Sequence, residues 1–391
     1  MTPSDKLPGI HALRVVAAVT VFLLHTLNLT ARFVEPVTNW AGAHLHFGVP
    51  LFFVVSAFSL MYSTILDQGS SGWVRRFYLK RYFRIAPLFY FMLVAGVALQ
   101  SLMGGLFALR PLPDLYSLFL NVTFLFGLFP EHSSSLVWVG WSVGTEMLFY
   151  LLFPLILVTI RNIYSAAFFV IIATVIGETA RPLLDPLASL AFGVTVSDQH
   201  ILPNLRYFAF GILAFHIYDR LRTTKLAAKN AGHVFVGVVH LLFISLAMSL
   251  IVFLIYFQDE LRALWHLDMA VWGALFTVLC VWLTVRPLRL LNWAPIQYLG
   301  ERSYSLYLVH FPAILLLSAF TKAAFGAIHP FMGDWAIIVA IIATYAPIIA
   351  ISAITYRLIE RSGMDLGKLL TRQIGRGSKI QATHTGGRAP D

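Results

Sequence analysis

Apolar residues run in blocks of about twenty along most of the chain, with polar residues gathered between the blocks. A helix rising about 1.5 Å per residue needs a block of that length to cross roughly 30 Å of hydrocarbon. Ten such segments are predicted, at 9–29, 46–66, 83–103, 138–160, 163–180, 204–219, 233–257, 267–285, 303–322 and 333–356. The pattern reads as an all-α polytopic integral membrane protein, with a transmembrane domain over 1–361. A short basic tail over 362–391 ends in QATHTGGRAPD, a small and polar stretch that predicts disorder.

The first block interrupts its own pattern. GIHALRVVAAVTVFLLHTLNL, Gly9 to Leu29, carries Arg14 and His25 in an otherwise apolar run. Eleven residues at about 100° each place both on one helix face, roughly 16 Å apart along the axis. Ionisable groups are costly in hydrocarbon, so this stripe is predicted to face protein or a wet cavity. Glu146 poses the same problem within LVWVGWSVGTEMLFYLLFPLIL. Its expected partner is a base at similar depth, and His25 qualifies; a polar contact between helices is the plainer alternative.

Three further patterns bear on chemistry. In WVRRFYLKRYFRIAPLFYF, Arg81 and Arg84 share a helix face, with Arg75, Arg76 and Lys80 nearby at the inner boundary of the third span. Anchoring against anionic lipid headgroups accounts for such a cluster, and so does a polyphosphate site gripped by paired guanidiniums. Tyr304, Tyr307 and His310 fall at i, i+3 and i+6 and form a polar stripe on the ninth span. Gly48, Ser56, Ala57 and Ser59 in the second span read as a small-residue packing face. The outer loop bearing Glu178, Arg181, Asp185, Asp198 and His200 reads as solvated; an earlier outer loop carries His44 and His46.

Composition agrees with a membrane protein. The 391 residues are 59% hydrophobic and only 12% charged, with a mean hydropathy of +0.78. The formal charge of +10 raises the question of nucleic acid, but its distribution answers it. With both termini inside, 22 of the 28 Lys and Arg residues fall on inner segments, as the positive-inside rule requires. Arg32, Arg110, Arg181, Arg206, Arg262 and Lys322 remain outside. The lone Cys280 excludes an intramolecular disulfide and paired-cysteine metal sites. No secretory signal, Walker-type loop, dinucleotide fingerprint, zinc spacing or nucleophile elbow is present, and no metal site is expected.

Taken together, six stretches resemble the membrane-bound O-acyltransferases of acyltransferase family three, which modify bacterial surface sugars, antibiotics and related alcohols. They are Leu13-Arg14 with the run to His25; Gly48-Val49 with Leu51-Phe52-Phe53; Arg81-x-x-Arg84-Ile-x-Pro87; Trp141-Ser142-Val143-x-x-Glu146-x-x-Phe149-Tyr150; Leu299-Gly300 with Ser303-Tyr304-Ser305-Leu306-Tyr307-Leu308 and His310; and Tyr356-Arg357-Leu358-Ile359-Glu360-Arg361. The resemblance implies acyl-CoA as donor, Arg81 and Arg84 near its phosphates with Arg76 and Lys80 beside them, and His25 as base or acyl relay. Pro50 and Ala57 depart from the family pattern, so no function is carried to the second span. Some members attach a soluble esterase-like domain; none is recognised here, and the chemistry is expected of the membrane domain.

The expected activity is transfer of an acyl group, acetyl foremost, from acyl-CoA to a hydroxyl of a carbohydrate, lipid-linked glycan or related acceptor, in the bacterial inner membrane. No cofactor is expected to be permanently bound. His25 would act as general base or covalent relay, with Glu146 orienting it and Arg14 neutralising donor charge. Trp141, Ser142, Tyr304, Ser305 and His310 are supporting candidates. Two rivals predict similar spans: a transporter or flippase of a lipid-linked sugar or acyl group, and a non-catalytic member of a polysaccharide assembly complex. No inverted repeat supports the first.

Overall fold

Each apolar block forms a helix in the computed structural model, which describes residues 7–30, 45–103, 113–187, 195–224, 233–264 and 266–385. His44, Arg32, Arg110, Lys6, Lys225, Lys229 and Arg388 lie outside the described residues. In chain order the helices are α1 (Pro8–Thr30), α2 (Gly48–Thr64), α3 (Trp73–Met103), the short α4 (Leu115–Val122), α5 (Trp141–Thr159), α6 (Ile163–Leu184) and α7 (Val196–Gln199). Then come α8 (Ile201–Leu221), α9 (His233–Ala263), α10 (Leu267–Val285), α11 (Ala294–Glu301), α12 (Ser303–Met332), α13 (Ala336–Thr355) and α14 (Arg361–Thr385). The described residues contain no strand, and the chain is an all-α polytopic membrane protein.

Seven helical stretches among the described residues are long and apolar enough to cross a membrane, fewer than the ten expected. The difference has a physical origin. The stretch Ser303–Gln373 contains both α12 and α13, α2 is only 17 residues long, and α8 carries Arg206, Asp219 and Arg220. Helix α3 overshoots in the other direction. Its 31 residues span about 46 Å, more than the hydrocarbon, so the basic N-terminal turns extend beyond it.

Helix α2 sits at the centre, with Val54, Val55, Ala57, Phe58 and Met61 wholly buried. It packs on α1 through Gly48 and on α8 through Ala57, whereas Ser56 and Ser59 of the expected packing face turn to a polar cleft instead. A Cβ on Gly211 of α8 would lie 2.8 Å from the Ala57 methyl, so only glycine lets these backbones meet. A single apolar cluster runs from Ile10 of α1 to Ile348 of α13. Helix α9 lies at the edge and shows large apolar side chains such as Leu241, Leu242 and Ile255 outward, as a lipid-facing helix does.

Two segments differ from the sequence reading. The span between α4 and α5 is folded into the domain: Phe126, Ser133, Ser135 and Val137 are buried, and Phe124, Ser135 and Val139 take left-handed backbone. Such φ values are unusual outside glycine, above all for β-branched Val139. The tail expected to be disordered from 362 is helical as α14 to Thr385. It follows a π turn at Tyr356–Glu360 and packs on α3, where a Cβ on Gly363 would meet the Pro87 ring at 2.6 Å. Arg302 secures the turn by lying over the rings of Tyr298, 3.5 Å away, and Tyr356, 4.6 Å away.

Candidate active site

A cleft of about 680 Å³, including its open mouth, lies where α1, α2, α3, α5 and α12 meet, and it draws three guanidiniums together. Serines at 56, 59 and 63 recur at helical spacing along one side of α2. Ser59 and Ser63 give their hydroxyl protons to carbonyls of their own helix, at Val55 and Leu60. Their oxygens are thereby turned into acceptors, taking hydrogen bonds of 3.0 Å from Arg14 and Arg81 respectively. Arg84 lines the same cleft one turn beyond Arg81.

Glu146 faces these arginines from α5. Its Oε1 accepts from the Ser56 hydroxyl and from Tyr150, one turn on in the same helix. Glu360 lies close by, fully buried at the end of the π turn. Its Oε2 accepts from Ser305 at 2.6 Å, and Oε1 has no partner among the described residues. The electrostatic neighbours of Glu360 include Arg84 and Arg14. Three guanidiniums thus outnumber the acidic side chains Glu146 and Glu360 beside them, and the site suits an anionic ligand. Arg81 Nε is buried without a hydrogen-bond partner among the described residues.

The opposite wall leads toward His25. Ser142 donates to the Tyr307 hydroxyl at 2.7 Å, and Tyr307 donates to the carbonyl of the left-handed Val139 at 3.1 Å. Tyr304 donates to the Ile85 carbonyl at 2.8 Å and so ties α12 to α3. The Tyr307 ring contacts His310, which is buried and has Nδ1 on the Tyr307 carbonyl. The His310 ring centre lies 5.3 Å from that of half-buried His25, which meets Phe311 edge-on at 5.0 Å.

Of the residues expected at the site, Arg14, Arg81, Arg84, Glu146, Ser142 and Tyr304 line one cleft. His25 and His310 pair beyond its Tyr307 wall. Ser305 turns to Glu360, and Trp141 packs edge-on against Phe53. Arg76 and Lys80 do not line the cleft: Arg76 bonds Ser70 and Ser71, and Lys80 pairs with Asp67 at 3.1 Å on the exposed face. The expected pairing of Glu146 with His25 is not what forms. Because residues 123–140 are folded inward, α5 begins inside the protein, and Glu146 falls at the depth of the arginines. The outer loop is not solvated throughout either. Buried Glu178 pairs with Arg206, with Arg181 at 3.7 Å and with His266 at 3.0 Å, and Arg181 also reaches Asp198 at 3.6 Å. Helix α6 runs on to Leu184, which carries Glu178 and Arg181 into the packed helix ends.

Ser56, Ser59, Tyr150 and Glu360 were missed as functional candidates. The first two belong to a serine stripe on an apolar helix, and Tyr150 stands four residues after Glu146, so both signals were present in the spacing.

Comparison with known proteins fixes the family. The acyltransferase-3 family model, described as an acyltransferase domain, matches residues 7–357. The chain belongs to this family. It is 24% identical over 341 residues to "Putative peptidoglycan O-acetyltransferase YrhL" of Bacillus subtilis (strain 168), an alignment covering 79% of this chain and 49% of the relative. It is also 24% identical over 390 residues to "Peptidoglycan O-acetyltransferase OatA" of Listeria monocytogenes serovar 1/2a (strain ATCC BAA-679 / EGD-e), covering 90% of this chain and 55% of the relative. The chain spans about half the length of these curated relatives. No solved structure matches it.

Proposed function

We propose that this family member moves an acyl group, acetyl foremost, from acyl-CoA to a hydroxyl of a carbohydrate acceptor at the bacterial inner membrane. The observation that carries the reading is the gathering of Arg14, Arg81 and Arg84 in one intramembrane cleft whose far wall leads to His25. The names of the relatives favour a peptidoglycan-type acceptor. Guanidiniums grip phosphate oxygens in forked geometry, so the phosphates of the donor are assigned to Arg81 and Arg84, with Arg14 lining the same cleft. Arg14 and His25 stand eleven residues apart on α1, so the thioester reaches about 16 Å along the helix on a flexible arm.

At the far end the His25 imidazole takes the proton of the acceptor hydroxyl as its oxygen attacks the thioester carbonyl. The new C–O bond forms, the C–S bond breaks, and the departing thiolate takes up the proton as a thiol. Glu146 and Glu360 hold the arginine cluster together in the absence of donor. The reading is tested with purified protein in liposomes, labelled acetyl-CoA and a peptidoglycan-derived acceptor. Transfer with release of CoA, lost by about 10²–10⁴-fold in His25→Ala that still inserts and binds donor, is expected. Acceptor translocation without ester formation would identify a transporter instead.

A further inference from the structure

Of the buried titratable groups the mechanism leaves unused, one lies beside His25. His310 is 1% exposed on α12, deep behind the half-buried His25. Its Nδ1 is set against the Tyr307 carbonyl three residues back, an atom that only accepts, so Nδ1 carries the hydrogen. Nε2 is then a bare lone pair, and it is buried with no hydrogen-bond partner among the described residues. With the ring centres 5.3 Å apart and each nitrogen about 1.1 Å from its ring centre, a nitrogen of His25 turned toward Nε2 would come within the length of one hydrogen bond.

We infer that His310 is a positioning residue that accepts a ring N–H of His25 through Nε2 and so fixes which nitrogen of His25 presents its lone pair to the acceptor hydroxyl. A small turn of the half-buried His25 ring, against the edge of Phe311, aligns the pair. Glu146 does not fill this place: it lines the arginine cleft, where its Oε1 accepts from Ser56 and Tyr150, and His25 is not among the residues lining that cleft. The chain of fixed groups reads backward from His25 to His310, to the Tyr307 carbonyl, and through the Tyr307 hydroxyl to Val139 and Ser142. A neutral acceptor in this role holds the tautomer without adding a buried negative charge. The inference rests on the reading of His25 as the base, but its principal measurement does not depend on turnover.

The test compares His310→Phe and His310→Gln in full-length protein in lipid, with ¹⁵N-labelled histidine and His25→Gln to assign the His25 signals. In the wild type the His25 ring nitrogens are expected to show a single neutral tautomer. In His310→Phe they are expected to show a mixture, with kcat down about 10–100-fold and the donor KM within twofold. Gln carries a carbonyl oxygen near the place of Nε2, so His310→Gln should restore the single tautomer and most of kcat. An unchanged His25 tautomer in His310→Phe, or a Gln variant no better than Phe, overturns the assignment. Should the Phe variant fail to insert, the same tautomer comparison between wild type and His310→Gln, with His310→Asn as the variant too short to reach, decides it. Full transfer in His25→Ala defeats the catalytic reading alone; the tautomer signals still decide whether the pair exists.

Discussion

Glu146 shows how a single residue changes meaning when its surroundings are known. From the sequence it is a costly carboxylate in search of a base; in the fold it is one of two acidic groups among three guanidiniums. Glu146→Gln should therefore lower the Tm of the unliganded protein, and acyl-CoA should recover more of that loss than it adds to the wild type, because bound phosphate replaces the missing negative charge. Modification of His25 by a histidine-directed acylating reagent should proceed at the wild-type rate in this variant. Arg84→Lys keeps the charge but loses the forked donor, and should raise the acyl-CoA KM about 10-fold or more with kcat nearly unchanged. Arg76→Lys, outside the cleft, should change neither constant by more than about twofold, within the range of exposed ion pairs. The arginine pair was legible because basic residues at i and i+3 mark their shared face without reference to depth. The partner of Glu146 was not, because depth depends on where α5 begins, and that is set by the inward folding of residues 123–140.

At the scale of elements, the apolar blocks and their order could be read directly, since length and hydropathy determine what crosses a bilayer. What lies between the blocks could not. The left-handed Val139 delivers its carbonyl to Tyr307, yet nothing in its local sequence calls for glycine-like backbone. The overshoot of α3 and the helicity of α14 follow from packing of one against the other, which propensity alone does not convey. The central contact of α2 with α8 offers a direct check. Gly211→Ala would drive a methyl into Ala57 and the Val54 carbonyl, so the purified variant should unfold at lower temperature, with a destabilisation of about 1–3 kcal/mol typical of overpacking.

Across the whole molecule, charge and apolarity divide the labour. In the proposed reading the arginine cleft holds one end of the donor and the histidine pair does the chemistry, so anchoring and chemistry are separated along α1. A short acetyl thioester with no phosphates should therefore be a poor donor, with KM raised by more than about 100-fold, as expected from losing two or more charge-assisted contacts. Its use should be indifferent to Arg84→Lys. The π turn at 356–360 gives the molecule one more property. A π turn accommodates an additional residue within a helix, and each residue contributes about 100° of rotation. Deleting Leu358 would let the ladder close as an ordinary α-helix and leave everything beyond it nearly in phase, because a five-residue π turn and a four-residue stretch of α-helix rotate through about the same angle. Glu360 would keep its place against Ser305 and Gly363 its place on the Pro87 face of α3, whereas deleting a second residue, which the turn cannot absorb, would rotate both away by roughly a quarter of a revolution. The phase of one helix thus couples the counter-charge of the arginine cleft to the docking of the C-terminal helix: a single-residue deletion at the turn is expected to retain both, and a two-residue deletion to release both together.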